Sequence, residues 1–236
     1  MDQTVEPTLA PATLLMPALT SAVGLVATAS PQPQQPSSTQ IAPFARFVKQ
    51  LSEWVSCSAD EQALLQATRP ALQQLISTDD WLPAAYAVPS DVRYQQYLLH
   101  ADPQGRFSIV SFVWGPGQET PIHDHTVWGL IGMLRGAERS QAYHRQEDDN
   151  DGNSDDGRVR LVAGKATVLH PGDVDVVSPT LGDIHRVSNV HHDKVSVSIH
   201  VYGADIGKVE RSVYAEDGTQ KRFISGYSNG SLPSLL

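Results

Sequence analysis

His123 and His125 stand two residues apart in the stretch Pro121-Ile-His-Asp-His-Thr-Val-Trp-Gly129. Side chains alternate between the faces of a strand, so in that conformation both imidazoles share one face and Asp124 turns to the other. Two neutral imidazoles on one face can chelate a metal ion. A third, His185, comes from a distant run, Leu181-Gly-Asp-Ile-His-Arg-Val-Ser-Asn189, and three ligands leave coordination positions open. Further along, Val195-Ser-Val-Ser-Ile-His-Val-Tyr202 alternates without a break. Val195, Val197, Ile199 and Val201 form one face; Ser196, Ser198, His200 and Tyr202 form the other. A polar row on a half-apolar strand costs stability unless its groups bond to one another, to water or to a ligand. Ser198, His200 and Tyr202 can do this as a relay, with the serine hydroxyl on one ring nitrogen and the phenol on the other. An outer, solvated sheet face is the alternative reading.

These residues need a scaffold. The chain has 236 residues, 40% of them hydrophobic, enough for one globular domain with a real core. Residues 1–42 are rich in Ala, Pro, Thr, Ser and Gln, with Asp2 and Glu6 as their only charged side chains. They cannot build a core and are expected to be a disordered arm. The domain then runs over 43–236, with a helical part at 43–90. Phe44, Phe47, Val48, Leu51 and Trp54 recur at helical spacing, which predicts one amphipathic helix. Ser58-Ala-Asp-Glu61 reads as a capping box for a second, which Pro70 should break or restart before Leu72, Leu75 and Ile76 continue its apolar face. The helices should pack on one side of the β domain.

From Tyr94 the period falls to two. Strands are predicted over Phe107 to Trp114, Trp128 to Leu134, Glu138 to His144, Val159 to Val162 and Lys165 to Leu169, with turns at Asp102-Pro-Gln-Gly105, Gly115-Pro-Gly117, Arg135-Gly136, Pro171-Gly172 and Glu216-Asp-Gly218. Short strands at this spacing fit a sandwich or jelly roll. The acidic stretch 146–157 is expected to be a solvated hairpin tip. Its six acids, from Glu147 to Asp156, supply most of the net charge of -9, and the balance argues against a nucleic-acid partner. Cys57 is the single cysteine. An internal disulfide is therefore excluded, and Cys57 reads as a small buried hydrophobe. No run approaches the ~20 apolar residues of a membrane span. The apolar stretch Ala18 to Ala29 follows residues with no Lys or Arg, so no secretory signal is expected and a cytoplasmic location is.

Gly117, His123, His125, Gly129 and Gly136 resemble the first motif of the cupins. Pro179, Gly182, His185 and Asn189 resemble the second, with one extra residue between Gly172 and Pro179 and another between Pro179 and Gly182. The resemblance implies a mainly β cupin, a double-stranded β-helix with the N-terminal helices packed outside. Where many cupins carry a metal-binding glutamate this chain has Gly129, which implies three histidines and no carboxylate.

The segment His123-Asp-His-Thr126, the run His185-Arg-Val-Ser-Asn189 and the Ser198-x-His200-x-Tyr202 strand are together similar to the thiol dioxygenases, the family of cysteine dioxygenase and 3-mercaptopropionate dioxygenase. The similarity runs from about Tyr94 to Tyr202. It implies that His123, His125 and His185 bind Fe(II), and that Ser198, His200 and Tyr202 form the outer-sphere catalytic triad. It also implies that O2 and a small-molecule thiol meet at the iron, and that both oxygen atoms transfer to sulfur to give a sulfinic acid. Animal cysteine dioxygenases hold the substrate carboxylate with an arginine and cross-link a cysteine to the active-site tyrosine. Gln96 and Gly129 stand at those places here, the pattern of the glutamine-type bacterial enzymes that favour 3-mercaptopropionate. Arg211 is the second substrate-binding residue expected, because the family puts an arginine near the site at that position. Of the other aromatic and histidine residues, Trp128 is expected to wall the pocket and Trp114 to lie in the core. Asp124 should hold local backbone, and His100, His144, His170, His191 and His192 should take surface or satisfied roles.

The expected activity is thus an iron thiol dioxygenase acting on 3-mercaptopropionate. Cysteine oxidation to cysteine sulfinic acid is the alternative within the class. A three-histidine cupin could instead use Zn, Mn or Ni as a Lewis acid, or bind a ligand without turnover. Neither a nucleic acid nor a membrane is expected as a partner.

Overall fold

A computed structural model describes residues 37–146, 158–230 and 235. Most of the expected arm and nearly all of the expected acidic hairpin tip lie outside the described residues. Two helices come first, α1 (Ser38–Cys57) and α2 (Glu61–Leu75). Eleven strands follow among the described residues: β1 (Gln95–Ala101), β2 (Ser108–Trp114), β3 (Ile122–His123), β4 (Gly129–Arg135), β5 (Glu138–Arg145), β6 (Leu161–Leu169), β7 (Val174–Val177), β8 (Ile184–Asn189), β9 (Ser196–Tyr202), β10 (Arg211–Tyr214) and β11 (Gln220–Phe223).

The strands form two sheets, in the orders β1-β2-β9-β4-β7 and β11-β10-β3-β8-β5-β6, with every pairing antiparallel. Between them lies a core in which Val110, Phe112 and Met133 of the first sheet meet Leu169 and Val187 of the second. The helices cover the other face of the first sheet. There Phe44, Leu51 and Leu72 pack with Ile109, Leu130 and Ile199. All seven residues of β9 are consequently buried, the apolar set under the helices and the polar set between the sheets. The chain is a cupin double-stranded β-helix with its helices outside.

Local departures from the expected elements have identifiable causes. The first helix starts at Ser38, ahead of Phe44, because the Ser37 hydroxyl accepts from the Gln40 amide at 3.2 Å and caps it. Residues 38–42 are therefore helical. The second helix is capped by Asp60 rather than Ser58, with the Ala63 amide donating to Asp60 Oδ1 at 2.7 Å. Glu61 instead accepts from Ser178 and Thr180. Pro70 forfeits one backbone bond but does not interrupt α2, since Leu65, Thr68, Leu72 and Leu75 on both sides of it are buried along the helix. Cys57 ends α1 off its apolar face and is exposed, not buried. The two strands expected between Val159 and Leu169 are one, β6. A register shift opposite Gln141 and Tyr143 absorbs Gly164, where a Cβ would lie 2.6 Å from His144 Nε2. The five expected turns each carry a glycine with positive φ, at 105, 117, 136, 172 and 218.

Helix and sheet pack tightly at Gly132 of β4, where a Cβ would stand 3.0 Å from Leu72 Cγ. Leu72→Ala should leave a cavity there and lower stability by ~2–5 kcal/mol. Urea denaturation should show an earlier midpoint with an unchanged slope, while metal content stays at the wild-type level because the cavity is on the far side of the first sheet.

Candidate active site

In β3, His123 lies directly opposite His185 of β8, which sets two imidazoles side by side across the sheet. The strand ends at His123, so His125 sits just beyond it rather than within it. The expected alternation nevertheless holds. Asp124 turns away and takes the Ser212 amide at 2.7 Å and the Tyr214 hydroxyl at 2.6 Å, tying the loop to β10. The next residue, Thr126, has φ 60°, a conformation that costs a β-branched residue ~1–3 kcal/mol. Asp183 holds it there. Its carboxylate accepts from the His125 and Thr126 amides at 3.0 and 2.9 Å and meets His125 Nδ1 at 3.1 Å. Burial opposes ionisation of Asp183, but these bonds win and hold its carboxyl below the usual range.

The three rings form a near-equilateral set, with centroids 4.8, 4.8 and 4.9 Å apart and ligand atoms within 4.8 Å of one another. Each Nδ1 has its own partner: the Pro121 carbonyl for His123, Asp183 for His125 and the Ser140 hydroxyl for His185, all at 3.1 Å. A carbonyl can only accept, so Nδ1 of His123 and of His125 carries the proton and Nε2 keeps its lone pair. His125 Nε2 is buried with no partner among the described residues. Burial is the first cause of the lowered pKa of His123, about 3, and of His185, lowered well below its ordinary value; the neighbouring imidazoles add to it. His123 and His185 are held neutral, and His125 presents its lone pair at Nε2. This is the donor set a divalent first-row metal requires, and the residues fit the ion.

The polar row of β9 faces the same space. Ser198 Oγ lies 2.9 Å from His200 Nε2, and His200 Nδ1 lies 2.7 Å from the Tyr202 hydroxyl. Both are buried; burial, then His125 and His123, keeps His200 neutral, and burial raises the Tyr202 pKa. Phe112 stacks on His200 at 4.1 Å, and Tyr202 stacks on His125 at 5.6 Å. Gly129 pairs with Tyr202 in register, and a Cβ there would come within 2.8 Å of the tyrosine ring.

His123, His125, His185, His200, Tyr202 and Phe112 line a cavity of about 250 Å³ together with Gln96 and Arg211. Arg211 begins β10 and is 4% exposed. Its Nη2 donates to Ser225 Oγ at 2.7 Å, its Nε has no partner, and no carboxylate lies within ion-pair distance among the described residues. Gln96 donates through Nε2 to Ser225 Oγ at 3.0 Å and to the Gly226 carbonyl at 2.7 Å, so both its hydrogens are committed. Trp114 lies in the core between the sheets, as expected, and also lines the cavity beside Tyr94, while Trp128, expected to wall the pocket, belongs instead to the core under the helices. None of His100, His144, His170, His191 or His192 lines it.

Sequence reasoning did not single out Asp183, Ser140 or Ser225. Asp183 had a signal, standing two residues before His185 in a Gly-Asp turn that must cross to the histidine pair. Ser225 had none, because only the folding-back of the C-terminal segment brings it to Arg211.

Residues 32–212 match the family model described as cysteine dioxygenase type I. The chain is similar to human cysteine dioxygenase type 1, 26% identical over 56% of this chain and 62% of the human protein, which is less than two thirds of that relative's length. It is 25% identical to the Bos taurus protein of the same name, over 69% of this chain and 73% of that one. Among solved structures it is similar to a protein with a double-stranded β-helix domain from Klebsiella pneumoniae, at 20% identity and a TM-score of 0.36, covering 52% of this chain and 89% of that one.

Replacing His185 by Ala should abolish retention of Fe(II) through dialysis, measured as metal per chain. Asp183→Ala should leave the ligands in place but free the His125 ring, weakening the metal ~10–100-fold in a chelator competition.

Proposed function

The chain belongs to the cysteine dioxygenase type I family, and from that premise we propose that it is an Fe(II)-dependent thiol dioxygenase whose preferred substrate is 3-mercaptopropionate, oxidised by O2 to 3-sulfinopropionate. The observation that carries the substrate reading is Arg211, a buried cation with no carboxylate within ion-pair distance among the described residues. Burial lowers its pKa, and an uncompensated buried charge is costly. An anionic substrate group removes that cost. The cavity that Arg211 shares with the three bare imidazoles has room for a small thiol acid.

Recognition of the carboxylate runs through two groups. The guanidinium supplies charge and the unpartnered Nε–H, while Phe223 stacks at 4.8 Å to hold its plane. Ser225 Oγ already accepts from Arg211 and Gln96, so its own proton is left to donate. Gln96 therefore acts by holding Ser225 rather than by binding the carboxylate itself. The Gly226 carbonyl requires a donor, which fixes the amide in this orientation.

Cysteine differs from 3-mercaptopropionate by an ammonium group. The lining residues include Arg211 and Lys221 but no Asp or Glu, so an ammonium would enter beside two cations with no anion to meet it. This favours the thiol acid without an amine.

Bound iron supplies the positive charge that favours a thiolate and the redox chemistry that makes O2 reactive toward sulfur. The chain's own residues do the rest. His123, His125 and His185 would hold the ion without neutralising it. Phe112, Trp114 and Val187 offer apolar walls to the carbon stem and exclude water from it. Tyr202, positioned by His200, would donate a hydrogen bond to the reacting groups, and burial keeps its proton in place at neutral pH.

Oxygen uptake by the Fe(II)-loaded protein should have a higher kcat/KM with 3-mercaptopropionate than with cysteine, and both atoms of labelled O2 should appear in the sulfinate. Preference for cysteine would overturn the pocket argument; no uptake with either thiol would overturn the activity. Arg211→Gln should raise KM for 3-mercaptopropionate ~10–100-fold, the loss of a hydrogen-bonded charge pair, while changing KM for the carboxylate-free thiol cysteamine little.

A further inference from the structure

The Ser198, His200 and Tyr202 row does not end at Ser198. Glu138, the first residue of β5, projects between the sheets to meet β9 and is fully buried. Ser196 Oγ donates to Glu138 Oε1 at 3.0 Å, and the Ser198 hydroxyl, next on the same face of β9, adjoins the same carboxyl. Oε2 is buried with no hydrogen bond. A carboxylate oxygen is seldom left so, because an unsatisfied buried acceptor is costly and an ionised one more so. A proton on Oε2 changes the accounting: the atom becomes a donor, and Ser198 Oγ is the acceptor available to it.

We propose that Glu138 is the inner terminus of this chain of hydrogen bonds and that its proton sets the direction in which every bond of the chain points, including the one Tyr202 offers to the substrate. With Glu138 protonated, Oε2–H donates to Ser198 Oγ and Ser198 donates to His200 Nε2. His200 then donates from Nδ1 to the Tyr202 oxygen, and the phenol proton is directed into the cavity. With Glu138 ionised, Ser198 donates to the carboxylate and accepts from His200 Nε2–H. His200 Nδ1 becomes the acceptor of the phenol proton, and Tyr202 turns its lone pairs to the cavity. The neutral imidazole enforces the choice, since it carries one N–H and cannot donate at both nitrogens. No electron moves, and in each state every hydroxyl keeps one proton.

The surroundings of Glu138 favour the protonated form. Leu169 of β6 and Asn189 of β8 flank it in register, and the Asn189 amide is committed to the Trp114, Gly115 and Lys194 carbonyls. From β9 it meets only the two serine hydroxyls, with His200 beyond Ser198. On its own strand Ser140 leads to His185, and both histidines are neutral. Among the described residues no cation pairs with it. Burial pushes the carboxyl up to about 8, with the Ser198 and Ser196 hydroxyls moderating the rise. The donor state of Tyr202 is then complete below that pH and is lost above it. Glu138 is a positioning residue in the dioxygenase reading, on which the catalytic part of the inference rests.

Two readouts separate the inference from that reading. In the Fe(II)-loaded protein under nitrogen, infrared difference spectra of wild type against Glu138→Gln should show a protonated carboxyl that titrates near pH 8 and shifts in frequency in Ser198→Ala. The Tyr202 C–O stretch, isolated by subtracting Tyr202→Phe, should change from its donor to its acceptor position over the same range. In Glu138→Gln, where the bond from Ser196 keeps the amide oxygen on its side and leaves Nε2 to donate to Ser198, it should stay in the donor position. In turnover, wild-type kcat/KM for the thiol should fall about tenfold per pH unit above that pH. Both Glu138→Gln and Ser198→Ala should lack this limb, and Ser198→Ala serves if the Gln variant does not fold. A carboxyl ionised throughout, a Tyr202 band that ignores pH, or an unaltered alkaline limb in either variant overturns the inference. Absence of any thiol turnover in the wild type overturns the dioxygenase reading, and the two infrared titrations still decide the direction of the chain.

Discussion

Strand β9 is buried on both faces, and its inner face is polar. That combination is the constraint from which the rest of the architecture follows. Val197, Ile199 and Val201 need a second apolar layer, which α1 and α2 provide through Phe44, Leu51 and Leu72. Ser196, Ser198, His200 and Tyr202 have no bulk water to bond and so must satisfy one another or meet groups from the opposite sheet. They do both, through Ser198, His200 and Tyr202 in one line and through Glu138 at its inner end. The three clustered histidines and Arg211 come from the facing sheet and its loops, so the distance between sheets is the distance across the site.

The parts of this arrangement legible in sequence are those governed by strand alternation. His123 with His125, and the Ser198, His200 and Tyr202 row, are spaced by two, and no folding beyond an extended strand is needed to see that they share a side. Turns were equally local, since glycine tolerates the positive φ that such bends require. His185 is offered by its own run but is tied to the first pair only through the resemblance, and Arg211 comes from the resemblance alone, because no periodicity links either to that pair. What could not be read depends on which sheet face meets which layer. Trp114 and Trp128 both sit beside predicted strands, yet one faces the cavity and the other the helices, and only the order of strands in the sheet decides this. Ser225 and Glu138 are long-range partners for the same reason. The capping of α2 shows the limit at short range: Ser58 and Asp60 both suit the role, and Ser58 instead accepts from the Asp60 amide at 3.0 Å.

Charge is distributed across the cavity with a clear division. The three clustered rings are each oriented by a different partner, and His123 and His185 are held neutral, so an ion held there would keep its charge for whatever anion approaches. At the other side, Arg211 is cationic and has no carboxylate within ion-pair distance among the described residues. The thiol acid proposed as substrate would meet both ends at once, its sulfur toward the three histidines and its carboxylate toward Arg211 and Ser225. Among the described residues that line the cavity none is acidic, so a chain with a net charge of -9 presents fixed positive charges there, from Arg211 and Lys221.

Gly129 links the fold to the freedom of Tyr202. The two residues pair across β4 and β9, and a Cβ at 129 would press on the ring and on Val177 at 2.8 and 2.9 Å. With hydrogen there, the ring lies flat against His125 and its hydroxyl reaches His200 at 2.7 Å. The tyrosine is thus held by packing and one hydrogen bond, with no covalent tether to a neighbour, and its hydroxyl proton can point either way along that bond. A larger residue at 129 would trade that adaptability for steric restraint. The absent side chain and the buried acid at the far end of the row are therefore two halves of one device: one leaves the phenol able to reorient, and the other can decide how.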